Sequence, residues 1–500
     1  SIDVPGTIVR TTRDATGYHV SIDGVELGTF AGPLHFRPTD AANRFRVENI
    51  RRTFGTTQVP LYRGMIELSH STGTLTDRLH VVNIIEIEDY VPGVVANESI
   101  ASFHMEALKA QAVAARGYAI ANIGRFRASF PYDIVDSTTS QVYRGVISEH
   151  PRALQSSAET IGIVASYQGR IIGALYSSSF GGHSDNSNWI FNVPSSQLPG
   201  TNFTPYLVGI YDGVPPVLDL TDPATHNTFW RTIQPQGYDM CGRVNNRFSR
   251  WKIIIPAASI KSRLTTTNSV LISGTRTGPV TGVSVQLRMP SSGRVAIARI
   301  TLSTGVVEVR GWDNLRNVLG RSAALTASSC PSPNGTAIAA NFTLTNPSIL
   351  EPYNNPDGSF GGVNAYGGGW GHNVGMSQYG AHGRALAGQN FLQILKAYYT
   401  GVDVGSYPID IGREPGSGPP TLRQQFYAPN AAGSLVVRAD GLMKLVVHIN
   451  DTYDVVLNQE ELEAGTVTVD ISAYLLPGLN TIQYNPVGRN GSATVQVVIE

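Results

Sequence analysis

Apolar and polar positions alternate in short runs through residues 1–90. The pattern predicts strands at Thr7–Thr12, Gly17–Ile22, Leu61–Ser69 and His80–Glu88, with Gly, Asp or Asn turns between them. At 98–124 the period changes. Met105 to Ile123 has Ala at seven positions, no Pro and a single Gly, Gly117, and predicts a helix with Ser102 as its N-cap. Residues 131–215 return to strands and loops, including the Ser/Gly-rich stretch Ser177–His183. Further strands are expected at Trp251–Ile255, Val280–Arg288, Val295–Leu302 and Val306–Val309. A glycine-rich loop, 367–372, leads into helices at about Ser377–Ala387 and Phe391–Tyr399, with Gly401 placed as a C′ glycine.

Residues 412–420 read as a linker by composition. Beyond it the runs Leu435–Ala439, Leu445–Ile449, Tyr453–Leu457, Val467–Ile471, Thr481–Tyr484 and Ala493–Ile499 predict a small Ig-like β-sandwich over 421–500. The fold class is therefore a β-rich α+β architecture with one central Ala-rich helix. Its expected parts are a β lead-in (1–60), a main domain (61–411) with a strand-rich lobe at about 243–327, the linker and the sandwich.

Charge narrows the function. Lys+Arg and Asp+Glu are 37 each, so the basic excess of a phosphate-binding surface is absent. Charged residues are 15%, too few for disorder or a long coiled coil. No run of 18 apolar residues offers a membrane helix. The start at Ser1, without a basic-then-apolar leader, is that expected of a mature or trimmed product. Low charge with abundant Ser, Thr, Asn and Gly suits an exported protein. Cys241 and Cys330 leave two options open, a disulfide or two thiols, and form no metal cluster by themselves.

In so weakly charged a chain, two cations on the helix stand out. Lys109 and Arg116 are one heptad apart and share a face with Met105, Val113 and Ile120. Two readings follow. The cations form structural ion pairs at the edge of a core helix. Alternatively they line a cleft beside a working carboxylate, with Glu98, just before the helix, as the leading candidate.

Several segments carry a family resemblance. Residues 90–98 (YVPGVVANE) and 106–119 (EALKAQAVAARGYA) are similar to the signature of the stage II sporulation protein D family, which includes the amidase enhancers. Residues 132–145, 174–184, 369–381 and 394–399 resemble further family segments in order. The resemblance spans about 60–403. It implies a lytic transglycosylase that cleaves the MurNAc–GlcNAc β-1,4 bond of peptidoglycan and leaves 1,6-anhydro-MurNAc ends. Glu98 would be acid and base, with Lys109 and Arg116 as its basic helix positions. His183, Ser184, Trp370 and His372 are candidates for substrate contact, against the plainer reading of turn and core residues. Three departures are visible: Ser99-Ile100 stands for Met-Pro, Gly117 for Thr and Asn373 for Gly.

No cofactor is expected. Some relatives bind zinc through clustered Cys and His, but ligand-like spacing does not link His183, His372 and His382 here. The expected partners are peptidoglycan glycan strands and a wall amidase or other surface protein, at the cell wall, cell surface or outside the cell. The alternative is a non-catalytic peptidoglycan-binding, amidase-enhancing or scaffold module. No cluster of exposed aromatics marks 421–500 as a sugar platform, so that region reads as structural or adhesive.

Overall fold

The computed structural model describes residues 8–50, 52–54, 56–70, 79–191, 197–215, 217–321, 342–412, 422–487 and 491–500. Cys330 and most of the 412–420 segment lie outside them. Strand makes up 37% and helix 21%, so the chain is mixed α+β and strand-rich. It divides into two compact units. One holds Ser1–Gly173 with Val404–Glu500, the other Ala174–Asp403.

In the first unit, Gly17–Ile22 is a strand as expected, between Val9–Asp14 and Val25–Phe30 in a three-stranded sheet. The expected strand His80–Glu88 ends early. The strand is Leu79–Ile84, and Glu88 belongs to a helix, α1 (Ile87–Glu98), absent from the sequence reading. Its signal was masked by Pro92, which gives up one helical hydrogen bond, and by the β-branched Val91, Val94 and Val95. Tertiary burial overrides that propensity, because all three valines are fully buried and each contributes about 1.5–3 kcal/mol.

The Ala-rich segment forms α2 (Met105–Ala121). Its N-cap is His104, whose Nδ1 accepts the Glu106 N–H at 3.3 Å, rather than Ser102. Ala, the best helix former, also lets neighbours approach closely, and α2 is buried nearly all round. A third helix, α3 (Pro151–Ala158), starts with His150 Nδ1 accepting from Ala153 N at 3.1 Å and with Pro151 in the first turn. The three helices pack on one another. Tyr62, Ile66, Tyr90, Val94, Ala115, Ala119 and Tyr143 form a core beside them.

The C-terminal strands fall into two antiparallel sheets. Gly433–Asp440 pairs with Thr466–Asp470 and Ser492–Ile499, and that sheet continues through Asp403–Gly405 to Val164–Tyr167 and Arg170–Ile171. The second sheet runs Leu422–Ala428, Gly478–Val487, Lys444–Ile449, Tyr453–Asn458. Alternate residues Leu445, Val447 and Ile449 are fully buried, as a one-sided sheet requires.

In the second unit, Val280–Arg288 and Val295–Leu302 match the expected strands and join Gly305–Arg310 and Val270–Gly274 in one four-stranded antiparallel sheet. Trp251–Pro256 pairs with Phe360–Gly367, which pairs with Ile349–Asn354. The inward residues of these sheets, with Leu315, Val318 and Leu319 of a helix at Trp312–Leu319, make a single core. The late helix pair is Gln378–Leu386 and Phe391–Tyr398, within a residue of expectation at most ends.

Candidate active site

Glu98 is the last residue of α1, and Ser99 turns the chain out of the helix with extended backbone. Its Oε1 accepts the backbone N–H of Val142 at 2.7 Å. The donor belongs to the loop that follows Tyr132, so two of the family-like segments meet at this carboxyl group. The loop is anchored by its neighbour. Gln141 is fully buried, its Nε2 donates to the Ala115 carbonyl of α2 at 3.2 Å, and its Oε1 accepts from Tyr90 of α1 at 3.1 Å. Asn97, beside Glu98, donates to Ser148 Oγ at 2.7 Å and to Gly93 O at 2.6 Å. Glu98 itself is half-buried.

The two helix cations have counter-ions of their own. Lys109 Nζ lies 3.0 Å from Glu106 and 2.7 Å from Glu159, at the end of α3. Burial works against its charge, but the hydrogen bonds it donates to Glu159 and Glu106 outweigh that and hold its pKa above the usual lysine value. Arg116, fully buried, gives Nε and Nη2 to Glu88 at 2.9 and 2.6 Å and Nη1 to the Ile163 carbonyl at 3.0 Å. Glu88 also accepts from Gly162 N at 3.1 Å and Tyr407 at 3.2 Å. The bidentate pair of buried Arg116 with partly exposed Glu88 fixes α1 against α2. Glu88, Glu159 and the Val142 N–H were absent from the sequence reading. No spacing rule links them to the helix, and a backbone donor leaves no trace in residue type.

A cavity of about 450 Å³ opens near the start of α1, lined among others by Ile87, Tyr90, Tyr132, Asp136 and Tyr143. Glu98, Lys109 and Arg116 do not line it.

His183, Ser184, Trp370 and His372 lie in the second unit, where the structure brings their two loops together. Tyr176 and Ser177 pair in parallel with Met376 and Ser377, Ser179 bridges Trp370, and Asp185 N donates to Asn373 O at 2.8 Å. Gly181 sits at φ +60, where a Cβ would come within 2.4 Å of the Gly368 carbonyl carbon, so only glycine fits this crossing. Asn373 has φ +61, which explains its standing for glycine: Asn is among the few residues that adopt this region readily.

The histidines here are locked. His183 Nδ1 lies 2.8 Å from the Ser184 carbonyl, and burial pushes its pKa down to about 4. His372 Nδ1 accepts from Val374 N at 3.2 Å, and burial likewise lowers it to about 4. Ser184 Oγ accepts from Ile210 N at 2.8 Å. Trp370 packs on Phe248 and Phe342, with ring centroids 4.8 and 5.2 Å away.

Beneath the loops lies a set of buried charges. Asp185 and Arg294 pair at 2.8 Å with both side chains fully buried. Asp212 takes Arg384 at 2.9 Å and the Tyr398 hydroxyl at 2.7 Å. Asp239 accepts from Ser179 Oγ and Phe180 N at 3.0 and 2.9 Å, and burial with the neighbouring Asp212 raises its pKa to about 6. Cys241 is disulfide-bonded. Among the described residues no group of three or more His, Cys, Asp and Glu could hold a metal ion, and no helix is long and apolar enough to cross a membrane.

The family model described as stage II sporulation protein matches residues 76–167, the stretch with Glu98, Lys109, Arg116, Val142 and Glu159. An uncharacterized protein of Brachyspira hyodysenteriae is 29% identical over 333 residues, covering 66% of this chain and 70% of that protein. The amidase enhancer of Bacillus subtilis is 30% identical over 331 residues, 63% of this chain but only 40% of the enhancer. Stage II sporulation protein D of Bacillus amyloliquefaciens is 25% identical over 339 residues, covering 65% and 76%. The segment matched and the relatives aligned support a likeness of this chain to the stage II sporulation protein D family.

Proposed function

We propose that this protein acts on the bacterial cell wall as a lytic transglycosylase, cleaving the MurNAc–GlcNAc β-1,4 bond of peptidoglycan glycan strands. The observation that carries the reading is the setting of Glu98: a half-buried carboxyl group at a helix end, held at 2.7 Å by the Val142 N–H. Glycoside cleavage usually needs two carboxyl groups on opposite faces of the sugar. A transglycosylase needs one, because the C6 hydroxyl of MurNAc is the internal nucleophile. Glu98 protonates the leaving GlcNAc oxygen as the glycosidic bond breaks. As carboxylate it then takes the proton from the C6 hydroxyl, whose oxygen bonds to C1 and closes the 1,6-anhydro ring. General acid–base help of this kind supplies about 10²–10⁴-fold. Lys109 and Arg116, paired with Glu159 and Glu88, hold the helices that place Glu98. No cofactor enters the reaction.

The protein works outside the cytoplasm on this reading, which the disulfide-bonded Cys241 supports. A second reading, a non-catalytic amidase enhancer that binds the wall and a wall amidase, is favoured by the aligned enhancer and by the commitment of both helix cations to other carboxylates. Mass spectrometry of digested, purified sacculi separates the two. Release of anhydro-muropeptides by the wild type and not by Glu98→Gln supports the enzyme. Equal release by both sinks the Glu98 assignment, and binding without product supports the enhancer.

A further inference from the structure

Two tyrosines 21 positions apart are brought together at one end of the C-terminal sheets. Tyr453 and Tyr474 pack against each other with ring centroids 4.9 Å apart and planes tilted by 30°. Tyr453 is 44% exposed, and Leu476 and Leu479 beside this loop are 56% and 50% exposed. The loops that carry them are fixed from inside. Asn450 and Asp451 form the turn before Tyr453 with φ +54 and +56, a hairpin geometry that Asn and Asp tolerate. Asn450 Nδ2 donates to the Tyr474 carbonyl at 3.0 Å and to Asn480 Oδ1 at 2.8 Å. Asn480, fully buried, closes the other loop through Leu476 N, Leu476 O and Gly478 O. A buried amide knot thus holds an aromatic and apolar surface out in solvent. At its rim Arg423 and Asp451 form an exposed pair at 2.9 Å.

The geometry points to a glycan-binding site at Tyr453 and Tyr474, taking a neutral sugar ring of a polysaccharide strand. The choice of a wall glycan as that polysaccharide rests on the function proposed above. The apolar C–H face of a pyranose lies on the open face of the Tyr453 ring, as aromatic side chains offer apolar area with a polar tip. Leu476 and Leu479 receive acetamido methyl groups. Asp451 and Arg423 accept from and donate to ring hydroxyls and acetamido oxygens. The rim charges cancel, which suits a neutral sugar chain better than a polyanion or a basic peptide. Because the amide knot has already ordered the loops, binding loses little further conformational entropy.

The test uses full-length protein carrying Glu98→Gln, so that nothing is turned over, with co-sedimentation on peptidoglycan stripped of protein and anionic polymers. Tyr453→Ala is expected to weaken retention about tenfold, equivalent to ~1.4 kcal/mol. Tyr453→Phe should stay within about twofold, since it keeps the ring. Melting temperatures should match in all three. N-acetylglucosamine hexamer should compete with the wall and shift the Tyr453 and Tyr474 resonances. Retention unchanged in Tyr453→Ala and Tyr474→Ala overturns the site. Retention lost only on wall that still carries protein also overturns it, in favour of a protein partner. Wall retention of the Glu98→Gln protein reads the tyrosine site, and anhydro-muropeptide release by protein with Glu98 intact reads the chemistry, so failure of the site and failure of the Glu98 chemistry are read in different assays.

Discussion

The two units treat charge differently. Around α1 and α2 the carboxylates sit at the margins, with Glu88 and Glu159 partly exposed and Glu98 half-buried, although the Arg116 that Glu88 binds is fully buried. Under the glycine loops of the second unit, Asp185, Asp212, Asp239, Arg250 and Arg294 are all 0–1% exposed. A carboxyl group that must gain and lose a proton needs solvent or substrate within reach. A carboxylate that braces two loops needs neither, and its burial makes the brace unforgiving. Among the described residues, the charge is divided between partly exposed carboxylates around α1 and α2, Glu98 among them, and a buried frame under the glycine loops.

The sharpest way to break this comparison is Glu98→Gln. Activity should fall by at least the ~10²–10⁴-fold of general acid–base catalysis, while the melting temperature barely moves. A large stability change would place Glu98 with the frame instead.

Next is Asp185→Ala, which leaves the Arg294 guanidinium buried without its counter-ion. Breaking such a pair destabilises by about 3–5 kcal/mol, to be measured by urea denaturation. A loss below ~1 kcal/mol would show the frame is solvated.

Gly181→Ala should destabilise by ~1–3 kcal/mol, because φ +60 and the close Gly368 backbone both oppose a Cβ.

Acid should then separate the units. His183, His226 and His372 each have folded pKa values lowered to about 4 by burial, from an ordinary value of 6.5. Between those values the unfolded chain binds protons that the folded chain does not. Their stabilisation is complete above 6.5 and is lost as pH falls toward 4. Asp239, raised to about 6 from 3.8, acts in the opposite sense below pH 6. Three groups oppose one, so the melting temperature should fall between pH 7 and pH 5. A flat or rising profile would contradict the buried neutral histidines.

The smallest effect is expected for Lys109→Met. It removes the partly exposed pairs with Glu159 and Glu106 while keeping the stem's apolar contact, and should cost about 1 kcal/mol or less by thermal melting.

Much of this was legible in the residues. The Ala-rich run 105–121 could only be a helix, and its heptad correctly placed Lys109 and Arg116 on one face. The strands at 280–288 and 295–302 followed from period and β-branching. What failed, failed for a reason. Helix α1 contains Pro92 and three valines, and its helicity comes from burial. Ser102 had the right chemistry for a cap but stood two residues too early, and His104 took the place.

The sequence by itself determined most of the local elements, though not α1, and which few residues were candidates for chemistry, because propensity and periodicity act over one or two turns of chain. The tertiary structure decided the partners. Glu88 reaches Arg116 across 28 positions, Glu159 reaches Lys109 across 50, Val142 reaches Glu98 across 44, and Tyr474 meets Tyr453 across 21. Ion pairs, backbone donors and packed rings depend on distance in space and on the solvent that packing excludes. Neither quantity exists until the chain has folded.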